Sequence, residues 1–250
     1  MKRIFLPTPS PSHWQRVLAD PVKHWKPGFS AMTEAACWEN EADRLPSGIA
    51  KLLESSQEPQ LTGLRLLAAF PEWAVELPGG DTPSCTDVLA LAANEHGLVV
   101  IGVEAKVDEP FGPTLGEKRA TGTSSGQLQR IGYLHGVLGL TGLLKDDVRY
   151  QLLHRTASAL LTARDFHASV AVMLVHSYST KTPPSGRADY ENFCSAVHAD
   201  PSSPISRVPD FRHPMLYLGW STGEAGFRDT VLPSMPCPTD DMSCVMRDSR

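Results

Sequence analysis

The run TDVLALAANEHGLVVIGVEAKV, residues 86–107, constrains the fold of this chain more than any other segment. Two apolar segments, each long enough for a strand, flank the polar turn Asn94–Gly97 and read as a hairpin. The second is apolar almost without break as far as Val103, which predicts a central strand buried on both faces. Upstream, EWAVELP alternates from Pro71 onward and PGGDTPS closes it as a turn. The three segments together predict an antiparallel meander.

Helical patterns lie on both sides of this meander. Residues 1–30 are rich in Pro, Trp and His, and HWKPGFS reads as a loop before a helix capped by Ser30 and running to Pro46. SGIAKLLES predicts a second helix. LTGLRLLAAF predicts a third, because Leu61, Leu64, Leu67 and Ala68 fall at helical spacing. Residues 108–126 predict a long loop, followed by helices in QLQRIGYLHGVLGL and VRYQLLHRTASALLTARDF. ASVAVMLVHSY predicts a buried strand, ADYENFCSAVHA a helix and MLYLGWS a short last strand. The expected architecture is α/β with an α-β-β-β-α-β core, a mixed central sheet flanked by helices, and an N-terminal helical extension. It forms one domain over 1–221, of which 1–70 is mainly helical and 71–221 is the sheet core. Residues 222–250 are expected to be a mobile tail.

A chain of 250 residues with 41% hydrophobic content suffices for one substantial core. Its five cysteines are scattered without a CxxC pair, which speaks against a disulfide framework and a structural zinc site. The opening MKRIFLPTPSPSHW has no apolar run of signal-peptide length, and no stretch nears the roughly 18 apolar residues of a membrane span. A cytoplasmic protein with no membrane partner is expected. The net charge of −5 argues against a broadly basic surface for nucleic acid. A phosphate-binding function therefore requires cations concentrated at one site, or acidity that is itself the site and attracts a metal.

The meander places chemistry at its end. Asp87 lies on the second strand and Glu104-Ala105-Lys106 ends the third. Strand alternation puts Glu104 and Lys106 on one side, with Cα atoms about 6 to 7 Å apart, where Asp87 can meet them. Two carboxylates and the Ala105 carbonyl are the oxygen donors that Mg²⁺ or Mn²⁺ takes, and a metal-bound water then becomes a nucleophile. Lys106 would orient or deprotonate that water. Without a metal, the same residues make a salt bridge.

These residues and their strand-turn-strand setting resemble the core of the PD-(D/E)XK, or restriction-endonuclease-like, nuclease superfamily. The match is to TDVLALAANEHGLVVIGVEAKVDEPFG, with Cys85-Thr86 standing before Asp87 where a proline is often found. HWKPGFSAMTEAACWE, LPGG, VEAKVDEPFG and YQLLHRTASALL look more closely like a bacterial family assigned to this fold, over most of residues 1–220. The resemblance implies a metal-dependent nuclease that hydrolyses phosphodiester bonds, in DNA rather than RNA, with Asp87 and Glu104 on the metal and Lys106 catalytic. A homodimer would suit double-strand cuts. The alternatives are a catalytically inactive nuclease-fold binding protein and a nucleotide phosphohydrolase on the same site.

Members of the superfamily often add an acid from the first helix. Among Glu34, Glu39 and Glu41, Glu39 is the candidate because its neighbour Trp38 shares a packing face with Ala31 and Ala35; a solvated helix carboxylate is the alternative. A glutamine from the helix before the last long strand is also common in RecB-like branches. Gln151 is preferred here over Gln129 of the Gln129–Tyr133 spacing, and Arg155, His154 and Arg149 are candidate phosphate contacts. Asp108 and Glu109 would sit at the mouth of the site, His176 reads as a core histidine, and Trp14, Trp25 and Trp38 read as packing residues.

Overall fold

The computed structural model describes residues 10–120 and 124–235. In chain order the elements are α1 (His13–Val17), α2 (Pro21–His24), α3 (Ser30–Asn40), α4 (Ser47–Ser55), β1 (Arg65–Val75), β2 (Ser84–Asn94), β3 (Gly97–Lys106), α5 (Leu115–Ala120), α6 (Ser125–Val137), α7 (Tyr150–Asp165), β4 (Val170–Ser177), α8 (Arg187–Ala196), β5 (Ile205–Val208) and β6 (Met215–Thr222), followed by a short 3-10 turn, Ala225–Asp229. The six strands form one mixed sheet in the order β1-β2-β3-β4-β6-β5. The β1-β2-β3 meander is antiparallel, β4 joins β3 in parallel, and β6 follows in parallel.

The apolar continuity of β3 and β4 has the expected cause. Alternate residues face opposite layers, and both layers are apolar. Leu89, Val100, Met173 and Val175 pack with Leu134, Leu153 and Phe193 of α6, α7 and α8. Val88, Ile101, Val172 and Leu174 pack on the other face with Trp14, Met32, Ile49 and Leu52 of the N-terminal helices. All three tryptophans Trp14, Trp25 and Trp38 are buried, as packing residues.

Four expectations are corrected. Residues 65–70 of LTGLRLLAAF are strand, because the long β2 presents backbone donors and acceptors along its whole length that β1 pairs, from Arg65↔Ala93 to Val75↔Ser84. A bulge between Leu66 and Ala68 takes up Leu67, which remains exposed; this extra residue mimicked helical spacing. Ser30 is the first residue of α3 and does not cap it; Phe29 holds that position without a side-chain bond. The expected loop 108–126 contains α5, and β5 pairs with β6 where no strand was expected.

Residues 222–235 of the expected tail are bonded to the rest of the fold. Arg228 donates to Asp108 at 3.1 Å, and Gly28 donates its N–H to the Arg228 carbonyl at 2.8 Å. Trp25 Nε1 donates to the Pro233 carbonyl at 3.2 Å, so residues 222–235 fasten the N-terminal segment down. Residues 236–250 lie outside the described residues, as do 1–9.

Candidate functional site

The β2–β3 ladder ends at Val88↔Val103, and the next facing residues are Asp87 and Glu104. Beyond that point the backbone turns to side chains for partners: Ala105 donates its N–H to Asp87 Oδ2 at 2.8 Å. The N–H and C=O of one strand residue point to the same side, so the Ala105 carbonyl also lies on the Asp87 side.

Glu104 is 2% exposed and is met by three donors. Lys106 Nζ lies 2.6 Å and Gln151 Nε2 2.7 Å from its Oε1, and Arg155 Nε lies 2.5 Å from its Oε2. Helix packing explains the convergence. Gln151, Arg155 and Ala159 recur every four residues and share one face of α7. At Gly102 of β3 a Cβ would stand 3.3 Å from the Ala159 Cβ, so the missing side chain is what allows α7 this close. That approach carries Arg155 and Gln151 over Glu104, two residues further along β3. Arg155 also donates to Ser84 Oγ at 3.0 Å, and Ser84 Oγ lies 2.8 Å from His154 Nδ1.

The electrostatics are those of a buried, overcrowded carboxylate group. Burial pushes the Glu104 carboxyl up, but the adjacent Arg155 and Lys106 charges outweigh this and hold it down at about 2. Asp87 goes the other way. Burial, then the Glu104 and Glu72 charges, raise it well above the ordinary carboxylate range. Burial opposes the charge on Lys106, yet Glu104 and Asp87 raise its pKa overall, so it is an ammonium and not a base.

Glu72 is the member that sequence reasoning missed. It lies between Pro71↔Val88 and Trp73↔Thr86 in the β1–β2 register, hence opposite Asp87. Its φ of 50° is left-handed, costly for a non-glycine residue within a strand. Burial raises its carboxyl to about 7 despite the opposing Arg155 charge. The available signal was the glutamate that opens the predicted strand EWAVELP; finding its partner required the hairpin register.

Three side chains proposed for the site, Glu39, Arg149 and His154, are placed elsewhere or differently. Glu39 accepts from Trp14 Nε1 at 2.7 Å and does not line the cleft, because the inward-facing acid of α3 is Glu34. Glu34 itself is buried on the opposite face of the sheet, accepting from Trp38 Nε1 at 2.6 Å and the Tyr178 hydroxyl at 2.7 Å and lying 2.9 Å from His176 Nδ1. His176 is thus a core histidine. Arg149 pairs with Asp189 at 2.9 Å and donates to the Gly112 carbonyl, which ties the start of α7 to the preceding loop. His154 is adjacent to the centre, but burial and the Arg155 charge lower its pKa to about 3, so it is neutral and not a phosphate-binding cation. Asp108 and Glu109 line the first cleft.

Two clefts open at the centre. The first, of about 530 Å³, contains Glu72, Asp87, Glu104, Glu109 and the cations Lys23 and Arg228. The second, of about 710 Å³, contains Phe111, Tyr150, Lys118, His154 and Arg155. Lys106 and Gln151 line both. Among the described residues, no group of three or more His, Cys, Asp and Glu side chains is arranged to hold a metal ion, and Cys37, Cys85 and Cys194 are free thiols. No helix among them is long and apolar enough to cross a membrane.

The fold and site define an α/β protein whose mixed six-stranded sheet ends in a buried carboxylate, lysine and arginine centre. The chain belongs to the family described as a domain of unknown function (DUF6946), which matches residues 7–225. No curated protein and no solved structure matches it.

Proposed function

We propose that this protein is a metal-dependent nuclease with a restriction-endonuclease-like core, hydrolysing phosphodiester bonds of DNA at the Asp87, Glu104 and Lys106 centre. One observation carries the reading: Asp87, Glu104, Lys106 and Gln151 converge at the end of the sheet where two clefts meet. The order α3-β1-β2-β3-α7-β4 supports the fold assignment. Mg²⁺ or Mn²⁺ fits the donor set. Asp87 binds the Ala105 N–H through one oxygen only, and Glu72 stands opposite it in the same cleft, so a divalent cation would find carboxylate oxygens there. Asp87, Glu104 and the Ala105 carbonyl would hold the ion, with waters completing the shell. That ion would supply a water of lowered pKa and Lewis acidity at the phosphate.

The chain's own residues divide the remaining work. Lys106, charged and 2.6 Å from Glu104, orients the attacking water and stabilises negative charge developing on the phosphate. Gln151 positions Glu104 and can hold a water through its free lone pairs. Arg155 and Lys106 keep Glu104 ionised, so that it would be charged when a metal binds near neutral pH. The cytoplasmic setting and a dimer for double-strand cuts belong to the same proposal.

A second reading is favoured by one specific observation: both Glu104 oxygens are already occupied by Lys106, Gln151 and Arg155, as in a closed structural ion-pair cluster. In that case the protein is an inactive nuclease-fold binder. A nucleotide phosphohydrolase is less well supported, because Arg149 lines neither cleft. The test is incubation of DNA and RNA with Mg²⁺ or Mn²⁺, together with thermal melting in each metal. The nuclease predicts cleavage abolished by Lys106→Ala in protein that still folds, with Tm lowered by loss of the buried pair with Glu104, and a metal-induced rise in Tm abolished by Asp87→Ala. Cleavage undiminished in Lys106→Ala would sink the assignment, and no Tm response to metal would favour the inactive binder.

A further inference from the structure

The two clefts at the centre carry opposite charge. The first presents the carboxylates of Glu72, Asp87, Glu104, Asp108 and Glu109 against the cations Lys23, Lys106 and Arg228. The second is lined by Lys106, Lys118, Arg130 and Arg155 and, among the described residues, by no Asp or Glu. In a chain of net charge −5, this is the local concentration of cations that a phosphate-binding function requires.

These cations are held in place without being cancelled. Arg130 donates to the backbone carbonyls of Leu77, Pro78, Gly80 and Thr82 at 2.8–3.0 Å and has no ion pair among the described residues, so its position is fixed while its charge stays uncompensated. Lys106 and Arg155 share Glu104, whose single negative charge offsets one of their two. Both keep donors. Lys106 gives one of its three N–H groups to Glu104. Arg155 uses Nε on Glu104 and Nη1 on Ser84, which leaves Nη2 without a protein partner among the described residues. Lys118 of α5 reaches the same cleft with Nζ 4.4 Å from the centre of the Tyr150 ring at the start of α7.

The His154 ring records the combined charge. Burial and Arg155 lower its pKa to about 3, and Arg130 and Lys118 act in the same direction against the opposing Glu104. A phosphate group is the complement of such a cleft: it is anionic near neutral pH, and its oxygens accept from guanidinium and ammonium donors together. Lys106 and Gln151 line both clefts, so an anion in the second lies across them from the carboxylates of the first. One cleft attracts a cation and repels an anion, and its neighbour does the reverse.

We propose that the second cleft is an anion site that holds a phosphate group of the substrate other than the one attacked at Lys106. Its assignment to a nucleic-acid phosphate rests on the nuclease reading; the anion site does not. The test compares the full chain with Lys118→Gln, which removes a charge from the cleft, and with Lys51→Gln, the same change at an exposed position of α4 that lines neither cleft. Melting without metal is followed as inorganic phosphate is added at constant ionic strength. Tm should rise in the wild type and in Lys51→Gln and by less than half as much in Lys118→Gln; stabilisation through exclusion of phosphate from the surface is common to all three. Duplex DNA binding, read by fluorescence anisotropy across a salt series, should weaken several-fold in Lys118→Gln, with the slope of log K against log salt reduced by about one, and should be unchanged in Lys51→Gln. In Mn²⁺, Lys118→Gln should raise KM for cleavage and leave kcat nearly unaltered.

A full phosphate response in Lys118→Gln overturns the anion site, whether or not the wild type cleaves DNA. A response lost in Lys118→Gln but with DNA affinity and KM unaltered overturns the substrate role. A response lost in Lys118→Gln, in a protein that neither binds nor cleaves DNA, supports the anion site, removes the nuclease and makes the ligand a free phosphate ester.

Discussion

Replacing Arg155 with alanine measures how far charge holds the centre together. Arg155 and Glu104 form a bridge whose side chains are 11% and 2% exposed, so water screens it little. Burial raises the Glu104 carboxyl and the Arg155 and Lys106 charges bring it to about 2, against an ordinary 4.5. At about 1.4 kcal/mol per pKa unit, that depression corresponds to about 3 kcal/mol of native-state stability. Removing one partner of a buried pair costs about 3–5 kcal/mol, because the other charge is left behind. Here Lys106 and Gln151 remain on Glu104, so the lower end applies and Arg155→Ala should lose about 3 kcal/mol near neutral pH. Urea unfolding followed by tryptophan fluorescence reads this loss directly. Adding Glu104→Gln should not recover it, since the buried Lys106 ammonium then loses the carboxylate that pairs it.

The pH dependence carries a sign that can be checked. A depressed carboxyl stabilises the fold above its unfolded pKa and loses that contribution as pH falls through the folded one. The Glu104 contribution is therefore complete above about 4.5 and disappears toward about 2 in the wild type. Arg155→Ala should show a smaller loss across that window. A cost below about 1 kcal/mol near neutral pH would refute the argument, because exposed pairs are worth that little.

Glu72 predicts the opposite slope: its carboxyl is raised to about 7 by burial, so stability should rise as pH falls from above 7 toward the unfolded value of 4.5. Glu72→Gln should raise Tm at alkaline pH and flatten that rise, which melting at several pH values will show. Glu34→Ala leaves Trp38 Nε1 and the Tyr178 hydroxyl without their buried acceptor and should cost about 3 kcal/mol or more in urea unfolding. Because Glu34 faces the opposite layer of the sheet, the same variant should keep the metal response of Tm; losing it would place Glu34 in the site.

What the sequence determined by itself was local and periodic. The apolar continuity of β3, the turn at Asn94–Gly97 and the long helix over Tyr150–Asp165 each depend on spacing within a few residues, and each stands as expected. Asp87, Glu104 and Lys106 were legible for the same reason: strand alternation and one hairpin suffice to bring them to one side. Gln151 follows from the resemblance to RecB-like nucleases, which implies a glutamine on the helix leading into β4, and Arg155 from lying one turn further on the same face; both meet Glu104.

Tertiary structure decided everything that depended on a partner distant in sequence. Residues 65–70 carry spacing that suits a helix, and only the unpaired edge of β2 makes them strand. Nothing local distinguishes Glu34, Glu39 and Glu41 on α3; packing against β4 turned Glu34 to His176, and the turn of α1 gave Glu39 to Trp14. Glu72 joined the carboxylates through the register of β1 on β2, which a bulge at Leu67 shifts by one residue. The N-terminal helices are held because residues 222–235 return to a segment some 200 positions away, as in the bond from Trp25 to Pro233 with its separation of 208. Such contacts form only when the folded layers bring remote segments together, and no periodicity in the chain encodes them.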